Sequence, residues 1–369
     1  MKEVFKNNDF DIIIIGGGIT GSATSIFLKN LGYKVAVIEK TDLNKFKQGE
    51  SLSPECKRFF RLLNFTFDSN TSIEYHANNS CWGSSETLTS DFIFNPYGNG
   101  ISIDRQLLEH RLIEHSHSCG NNILLETTIL KIQFTGKVWE LSIKNNNNIG
   151  IIKSRLVIFA TGRTSPLNPS NSKRNYSDKL VALTIVRDIN ECTSTQRNLT
   201  IESLPNGWFY TNFLPKNKRV LSVFSDSDLL PKSKYDYFKE QLHLTHWFQT
   251  HNDTLLETNE RLDIFDARTS WSNCQSSDYW LEIGDSAYTI DPLSGQGILK
   301  NFQMSMFCIE NIESFLNGEE NINQSYGNFN LTNYNKYKEQ HKQVYEVETR
   351  WQSNEFWLRR KSSPQKTLS

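Results

Sequence analysis

GDSAYTIDPLSGQGI, residues 284–298 of this 369-residue chain, places an acidic side chain and a glycine-rich turn directly after a short apolar run. A second glycine-rich stretch, IIIIGGGITG, occupies residues 12–21 near the N-terminus. Each stretch alone is a common pattern, but the two together rarely arise by chance. The chain therefore predicts one site that is assembled from segments far apart in sequence.

The N-terminal segment predicts a strand, a helix and a second strand. Residues 12–15 are isoleucines, residues 19–31 carry apolar side chains at helical spacing, and residues 34–38 read KVAVI. Two parallel strands need a crossover of this kind, and continuous apolar strands are typical of a sheet that is covered on both faces. The chain therefore opens with a βαβ unit.

The turn between the first strand and the helix has the spacing of a dinucleotide-binding loop. Gly16, Gly18 and Gly21 form G-x-G-x-x-G directly after the strand. The first glycine permits the tight turn, the second lets a pyrophosphate approach the backbone, and the third lets helix pack on strand. Glu39 ends the second strand, where it is predicted to bind a ribose hydroxyl.

Asp285 decides which dinucleotide is expected, because the fingerprint alone serves FAD and NAD alike. Asp285 follows a predicted strand at 279–283, and its carboxylate would accept hydrogen bonds from the ribityl chain that NAD lacks. Pro292, Gly295 and Gly297 supply a turn ahead of a helix whose N-terminal N–H groups can stabilise charge on a reduced flavin. We predict FAD; the alternative is a calcium-like or merely turn-forming segment.

The remaining pattern predicts an α/β (α+β) protein with a Rossmann-like FAD-binding domain, built on a parallel sheet, and a β-rich substrate domain. The predicted boundaries are 1–177 for the first part of the FAD domain, 178–259 for the substrate domain, 260–330 for the return to the FAD domain, and 331–369 for a C-terminal helix and tail. Further predictions are helices at 104–117, 235–250, 296–315 and 334–360, a hairpin with its tip at 145–148, a short strand at 156–160, and a solvated connection at 317–330.

Composition argues against several classes of partner. A formal net charge of -1 provides no basic face for nucleic acid. The apolar run at 12–15 is far shorter than the roughly 20 residues of a membrane span, and it is too short for a signal peptide. The six cysteines are dispersed without C-x-x-C, so we expect reduced thiols, no metal and a cytoplasmic setting.

Motifs along nearly the whole chain carry a family resemblance. They are the glycine loop with Glu39, GES at 49–51, DR at 104–105, ATG at 160–162, and GDSAYTIDPLSGQGI. Together they resemble the FAD-dependent monooxygenase and tryptophan-halogenase-like superfamily, of the para-hydroxybenzoate hydroxylase fold. Four more motifs are most similar to a narrower group, the flavoproteins that accompany lysine and glycine oxidases and help to make their tryptophylquinone cofactors. These are CWGS at 81–84, NPYGNGISIDR at 95–105, GWFYTNFLP at 207–215 and FWLRR at 356–360.

The resemblance implies an FAD enzyme that inserts oxygen into a tryptophan side chain of a precursor of a partner amino-acid oxidase. It implies that Arg105 contacts FAD, that Gly49 and Ser51 lie near the ribityl chain and ring, and that Gly295 and Gly297 border the ring. The same cofactor site is predicted to include Ser22, Lys40, Thr161, Gly162 and Ile298.

Two departures from the superfamily pattern narrow the chemistry. Halogenases carry G-W-x-W-x-I-P and an essential lysine, whereas residues 207–215 read GWFYTNFLP and no lysine lies between Lys57 and Lys131. Halogenation is therefore disfavoured. The Asp-Gly motif that serves FAD and NADPH in single-component hydroxylases is replaced by ATGR at 160–163, so NADPH use is in doubt and an external reductant or reductase becomes plausible.

Candidate catalytic residues are less distinctive than the cofactor residues. Trp82, Trp208, Tyr210 and Phe213 are the aromatics expected near an indole substrate, although aromatics in strands are commonly core. Glu50 is a candidate acid or base beside the flavin, and a plain turn carboxylate is the alternative.

Other readings stay open. His115 with His117, and His243 with His246 near Glu240, are expected to be surface histidines, because neither pair completes a metal site. A small-molecule aromatic hydroxylase is a second candidate function. A third is a flavin-binding chaperone that docks a precursor on the helix at 334–360, although core packing of that helix is favoured.

Overall fold

The computed structural model describes residues 9–44, 46–47, 49–163, 173–189, 197–250 and 260–361. The helices are α1 (Ile19–Asn30), α2 (Cys56–Leu62), α3 (Arg105–Ser118), α4 (Lys234–His243), α5 (His246–Thr250), α6 (Gly297–Glu310), α7 (Ile312–Asn317), α8 (Glu320–Val347) and α9 (Glu355–Lys361). The strands are β1 (Asp9–Ile15), β2 (Val35–Ile38), β3 (Ser51–Leu52), β4 (Ser72–Tyr75), β5 (Ala77–Cys81), β6 (Leu88–Asp91), β7 (Gly100–Ile103), β8 (Asn122–Leu124), β9 (Thr127–Phe134), β10 (Trp139–Asn145), β11 (Asn148–Phe159), β12 (Arg174–Tyr176), β13 (Leu180–Asp188), β14 (Asn198–Leu204), β15 (Gly207–Leu214), β16 (Lys218–Asp226), β17 (Asp263–Asp266), β18 (Ser270–Ser272), β19 (Ser276–Ser277), β20 (Trp280–Glu282) and β21 (Tyr288–Thr289).

The first sheet contains the predicted βαβ unit. Its order is β19-β20-β11-β1-β2-β8, and β10 and β9 extend it from β11. Strands β20, β11, β1, β2 and β8 run parallel, with Ile14 opposite Val37 on one side and Ile158 on the other. Because both faces of β1 are covered, its isoleucines are fully or nearly fully buried. The carboxyl ends of β1, β11 and β20 therefore meet at one edge.

The second sheet is the β-rich unit, with the order β17-β13-β16-β15-β14-β5-β6. It extends beyond the predicted segment 178–259, because β5 and β6 come from earlier in the chain and β17 from later. Strand β14 pairs in parallel with β5, and such a long-range pairing leaves no local signal in sequence. All eight residues of β15 are buried, because β15 is central and helices cover both faces.

The C-terminal helices differ from the predicted single helix at 334–360. Helix α8 spans Glu320–Val347 and therefore includes most of the asparagine-rich segment predicted as a solvated connection. It ends because Glu348 adopts an extended conformation and its buried carboxylate accepts hydrogen bonds from Gly83 and Arg350. Helix α9 then returns to the second sheet, where Arg360 pairs with Asp226.

Two other predicted helices are each divided in two. Asn311 separates α6 from α7 and turns its side chain back onto the carbonyl of Phe307, a competition with helical bonding that is common for asparagine. Glu202 accepts hydrogen bonds from the first N–H groups of α5, so α5 starts separately from α4. The helix predicted at 104–117 is present as α3, capped by Asp104, and the hairpin tip at 145–148 connects β10 to β11.

The strand predicted at 156–160 is the buried end of the longer β11. Among the described residues, no helix has both the length and the apolar character needed to cross a lipid bilayer.

Candidate functional site

Two glycines leave no room for a side chain: Gly16, in the loop between β1 and α1, and Gly21, in the first turn of α1. Gly16 has φ +111°, and a Cβ placed there would collide with the carbonyl oxygen of Ala160. A Cβ at Gly21 would collide with the carbonyl oxygen of Gly16. Gly18 is the N-cap residue of α1, and no side chain among the described residues caps the helix there. The first N–H groups of α1 are therefore available to an anion.

Glu39 fixes this loop. Its Oε2 accepts a hydrogen bond from the Gly17 N–H at 2.8 Å, and its Oε1 accepts from the Thr41 N–H at 2.9 Å and the Thr41 hydroxyl at 2.8 Å. A carboxylate has about four acceptor positions, so one remains for a ribose hydroxyl. Glu39 can therefore hold the loop and a nucleotide at once.

Glu109 is a part of the site that sequence reasoning missed. It is buried, pairs with Lys47 and, at 3.0 Å, with Arg105, and its Oε1 lies 3.6 Å from a Cβ built on Gly18. Burial raises the pKa of Glu109, but the charges of Arg105 and Lys47 outweigh burial and hold that pKa below its ordinary value. The Arg105–Glu109 spacing of one helical turn was the available signal.

Arg105 connects α3 to the loop before β3. Its guanidinium lies where a Cβ of Gly49 would be, and Gly49 has φ +104°, a conformation that favours glycine. Burial raises the pKa of Glu50 and the charge of Arg105 opposes that rise, while Arg105 adds to the effect of Lys300 and Arg163 in lowering the pKa of Asp285. The structure therefore brings together the GES and DR motifs.

Asp285 lies in the 3₁₀ turn Gly284–Ser286, directly after β20. A Cβ on Gly284 would be 3.0 Å from Thr20 Oγ1, so this turn packs on the first turn of α1. The Asp285 carboxylate is 27% exposed and faces Lys300 at 3.0 Å and Arg163 at 3.6 Å. Burial raises the pKa of Asp285, but these two cations outweigh burial and hold the pKa well below its usual range.

Polar atoms without partners line the same region. Thr161 Oγ1 and Asn301 Oδ1 are buried, and neither has a hydrogen-bond partner in the part of the chain that the structure describes. Gly162, Gly295 and Gly297 border open space, with no described atom within 4 Å of a Cβ built on any of them. The site therefore offers free N–H donors at the start of α1, the fixed Asp285 carboxylate, unpaired polar atoms and glycines beside open space. These features together fit FAD.

Glu50 and Tyr210 form a buried polar pair where the residue before β3 meets β15. Glu50 Oε2 accepts from the Gly49 N–H at 2.8 Å, and Tyr210 is near enough for the Glu50 carboxylate to raise the pKa of its phenol. The Tyr210 hydroxyl is 2.6 Å from Ser51 Oγ, which also accepts from Asn212 Nδ2 at 3.2 Å. Burial raises the pKa of Glu50 and raises that of Tyr210 well above its ordinary value. Sequence reasoning named Glu50, Ser51 and Tyr210 but not Asn212.

The other predicted aromatics have mainly packing contacts. Trp82 lies against the C-terminal helices: its Nε1 donates to the Val344 carbonyl at 2.8 Å, and its ring meets Trp357 edge-on at 5.3 Å. Trp208 is 1% exposed and stacks on Phe224 at 3.7 Å, so that face is closed to a substrate. Phe213 is buried beneath the Arg219 guanidinium at 3.8 Å. The prediction that these rings face a substrate therefore finds no support in their contacts, because long-range pairing of strands and helices encloses them.

The remaining predicted cofactor residues occupy different environments. Ser22 donates to the Gly17 carbonyl at 2.9 Å and so braces the loop. Lys40 is exposed after β2, Ile298 packs with the α1–α2 cluster, and Pro292 begins the 3₁₀ turn before Gly295.

The histidines have ordinary contacts. His115 Nε2 is 2.8 Å from the Leu63 carbonyl, and the His243 ring meets Phe248 edge-on. Within the described ranges, no group of three or more histidine, cysteine or acidic side chains is arranged to hold a metal ion. His251 lies outside the described residues.

The fold and the site define the class of this protein, an FAD-dependent oxidoreductase with the fold of flavin monooxygenases and halogenases. The FAD dependent oxidoreductase family (DAO) matches residues 11–51, which include the glycine loop and Glu39. This match, together with the relatives and solved structures described next, confirms the expectations of an FAD enzyme and of this fold.

Particular relatives are similar over most of the chain. The chain is 23% identical over 361 residues to the FAD-dependent oxidoreductase LodB of Marinomonas mediterranea, and the match covers 95% of this chain and 96% of LodB. It is 26% identical to kynurenine 3-monooxygenase of Cytophaga hutchinsonii over 82% of this chain and 72% of that enzyme.

Solved structures share the fold. The peptidyl tryptophan dihydroxylase QhpG, described as essential for tryptophylquinone cofactor biogenesis, superposes with a TM-score of 0.79 at 18% identity, covering 96% of this chain and 79% of QhpG. The myxobacterial chondrochloren halogenase CndH gives 0.85 at 18% identity, covering 96% and 86%. At these identities the likeness shows the fold and leaves the substrate to other evidence.

Proposed function

We propose that this FAD-dependent oxidoreductase is a monooxygenase that oxygenates a tryptophan side chain in the precursor of a partner amino-acid oxidase. The observation that carries the proposal is the fold shared with a peptidyl tryptophan dihydroxylase over 96% of this chain. The sequence motifs shared with tryptophylquinone-associated flavoproteins support the same substrate.

The halogenase alternative is favoured by the high TM-score with CndH, but residue chemistry argues against it. No lysine lies between Lys57 and Lys131, and β15 carries Phe209 and Tyr210 after its tryptophan. Kynurenine 3-monooxygenase supports the other alternative, a hydroxylase of small aromatic molecules.

The chain's own residues would bind and shield the cofactor. The glycine loop and α1 would hold the pyrophosphate, Glu39 the ribose and Asp285 the ribityl chain, while bound FAD would supply two-electron transfer to oxygen. Inserting one oxygen atom of O₂ into a C–H bond and reducing the other to water consumes two electrons and two protons. An external reductant or reductase would supply the electrons.

Glu50 and Tyr210 are the groups placed to manage a proton at this site. Glu50 is 6% exposed, and burial raises the pKa of its carboxyl, so a proton is held more firmly than on a surface glutamate. A buried acid beside a phenol can deliver and recover a proton where water is excluded. We propose this pair as the acid–base element of the reaction.

Mass spectrometry of a co-expressed precursor tests the function. The oxidase precursor from the same organism is produced with this protein and a flavin reductase, with NADH, oxygen and bromide present. We expect one or two oxygen atoms on a tryptophan and none when that tryptophan is changed to phenylalanine. The Asp285→Ala variant serves as the control with an impaired cofactor site.

The competing functions give other results. A bromine isotope pattern would identify a halogenase. An unmodified precursor beside turnover of free tryptophan or kynurenine would identify a small-molecule hydroxylase. An unmodified precursor that still binds the loaded enzyme, with no turnover of any substrate, would favour the chaperone.

A further inference from the structure

Lys300 is a buried cation beneath the predicted ribityl site. It lies in the first turn of α6, its side chain is 7% exposed, and its Nζ donates to Asp285 Oδ1 at 3.0 Å. The same Nζ donates to the Tyr288 carbonyl and lies 4.5 Å from the centre of the Tyr288 ring. Its position is therefore fixed from two sides.

Burying a lysine at this position destabilises the fold unless its ammonium group is paired with an anion. Desolvating an ammonium group is unfavourable, and burial lowers the pKa of Lys300 while Asp285 opposes that shift. The neighbouring inward positions of α6, Phe302 and Met304, are apolar and fully packed. Packing alone would therefore be served by an apolar residue, whereas Lys300 specifically pairs with a carboxylate that reaches the site.

Four cations surround Asp285. Lys300 comes from α6, Arg163 follows β11 at 3.6 Å, and the charge of Arg105 on α3 acts from the glycine-loop side. Arg174 on β12 donates to the Asp285 backbone carbonyl at 2.9 Å rather than to its side chain. Lys300 is therefore the buried group that anchors Oδ1, whereas the other carboxylate oxygen, Oδ2, faces Arg163 Nε at the longer distance of 3.6 Å.

We propose that Lys300 is a positioning residue of the FAD site, which holds Asp285 as an oriented carboxylate so that its outer oxygen accepts from the ribityl hydroxyls. The proposal rests on the FAD-binding class of the protein and not on the tryptophan substrate. It implies that FAD affinity is insensitive to mild acid as long as Lys300 is present. Without Lys300 the main charge that lowers the pKa of Asp285 is lost, so protonation would begin at higher pH.

Titration of the FAD-free protein with FAD, followed by flavin fluorescence from pH 5 to pH 8, tests the proposal. Wild-type affinity is expected to vary little over this range. Lys300→Met is expected to bind FAD about tenfold more weakly at pH 8, the scale of one charge-assisted hydrogen bond. Its affinity should fall further towards pH 5, while Lys300→Arg keeps the flat profile and Lys336→Met, at an exposed position, matches wild type.

A double-mutant cycle shows whether Lys300 acts through Asp285. In the Asp285→Asn background, Lys300→Met is expected to cause no further loss, because there is no carboxylate left to orient. The double variant leaves no unpaired charge at this pair, so it can still be tested if Lys300→Met alone does not fold. The proposal is overturned if Lys300→Met binds FAD like wild type, or if its loss is independent of pH and equally large in the Asp285→Asn background.

Discussion

At the scale of single residues, Glu39 has one role that the sequence predicts and a second role that only the structure shows. The fingerprint predicted that Glu39 binds a ribose, whereas the structure shows that the same carboxylate also secures the Gly17 N–H. Sequence spacing pairs Glu109 only with Arg105, whereas the Lys47–Glu109 and Lys300–Asp285 contacts form only when α3 and α6 pack beside the loop.

Glu50 gives a pH-dependent stability prediction. A raised pKa in the folded state means that Glu50 favours folding below the unfolded pKa of about 4.3 and loses that contribution as pH rises through its folded pKa. Glu50→Gln keeps an acceptor for the Gly49 N–H and removes the ionisation. We expect its free energy of unfolding to match wild type at pH 4 and to exceed it at pH 7.

Urea unfolding at both pH values measures this difference, with Glu86→Gln at an exposed position as the control. A Glu50→Gln protein that is less stable than wild type at pH 7 by more than at pH 4 would show that the folded protein favours the ionised carboxylate.

A substitution at Gly297 distinguishes an effect on FAD binding from an effect on the stability of the fold. A Cβ on Gly297 meets no described atom within 4 Å, and alanine is favoured over glycine in helices by up to about 1 kcal/mol. Gly297→Ala should therefore leave the free energy of unfolding unchanged or slightly higher and weaken FAD binding at least tenfold. Gly21→Ala should impair both, because its Cβ collides with the Gly16 carbonyl.

Calorimetry of unfolding and fluorescence titration with FAD give the two quantities. Undiminished FAD affinity in Gly297→Ala would mean that the open space beside Gly297 is not the cofactor's.

At the scale of elements, the C-terminal helices changed most between prediction and structure. Tyr337, Tyr345 and Phe356 are buried, and Trp351 is partly buried, so these aromatics pack rather than form a docking surface. Tyr345, Trp351 and Phe356 pack in the core of the second sheet, whereas Tyr337 packs in the core of the first sheet. Asp291, in the segment that returns to the FAD domain, accepts from Tyr345 at 2.8 Å and contacts His341 at 3.1 Å, and such contacts between distant segments have no periodicity.

Trp82 tests the packing of α8. Trp82→Phe removes the hydrogen bond to the Val344 carbonyl and part of the edge contact with Trp357, so we expect a loss of about 1–2 kcal/mol in the free energy of unfolding. FAD affinity should be unchanged. Trp351→Phe is the matched control, because its Nε1 has no partner among the described residues.

Chemical denaturation measures the stability of both variants, and titration with FAD measures their affinity for the cofactor. Weaker FAD binding in Trp82→Phe at unchanged stability would place Trp82 at the cofactor instead of in the helix packing.

At the scale of the whole molecule, cofactor binding and folding are expected to be coupled, because the site joins segments from residue 16 to residue 297. Cys56 and Cys308 report on global opening: both are buried, and burial raises the pKa of each thiol to about 12. Cys119 and Cys274 are partly exposed, and Cys192 lies outside the described residues.

In a Cys192→Ser protein, a thiol reagent should label Cys119 rapidly and Cys56 and Cys308 slowly. FAD at a hundred times its dissociation constant adds about 2.7 kcal/mol to stability, so labelling of the buried pair should slow about a hundredfold. Peptide mass spectrometry over time measures each thiol, and Cys119 is the internal control. Equal slowing of Cys119, or no slowing of Cys56, would contradict this coupling.

The sequence by itself determined the cofactor class and the opening of the fold, because the glycine loop, Glu39 and Asp285 are local patterns tied to backbone geometry and nucleotide chemistry. Tertiary structure alone decided which side chains support those residues and which aromatics are core. The parallel pairing of β14 with β5, the return of α9 to the second sheet and the Lys300–Asp285 pair each join residues distant along the chain. Burial and charge pairing are properties of that assembled neighbourhood, and local periodicity does not encode them.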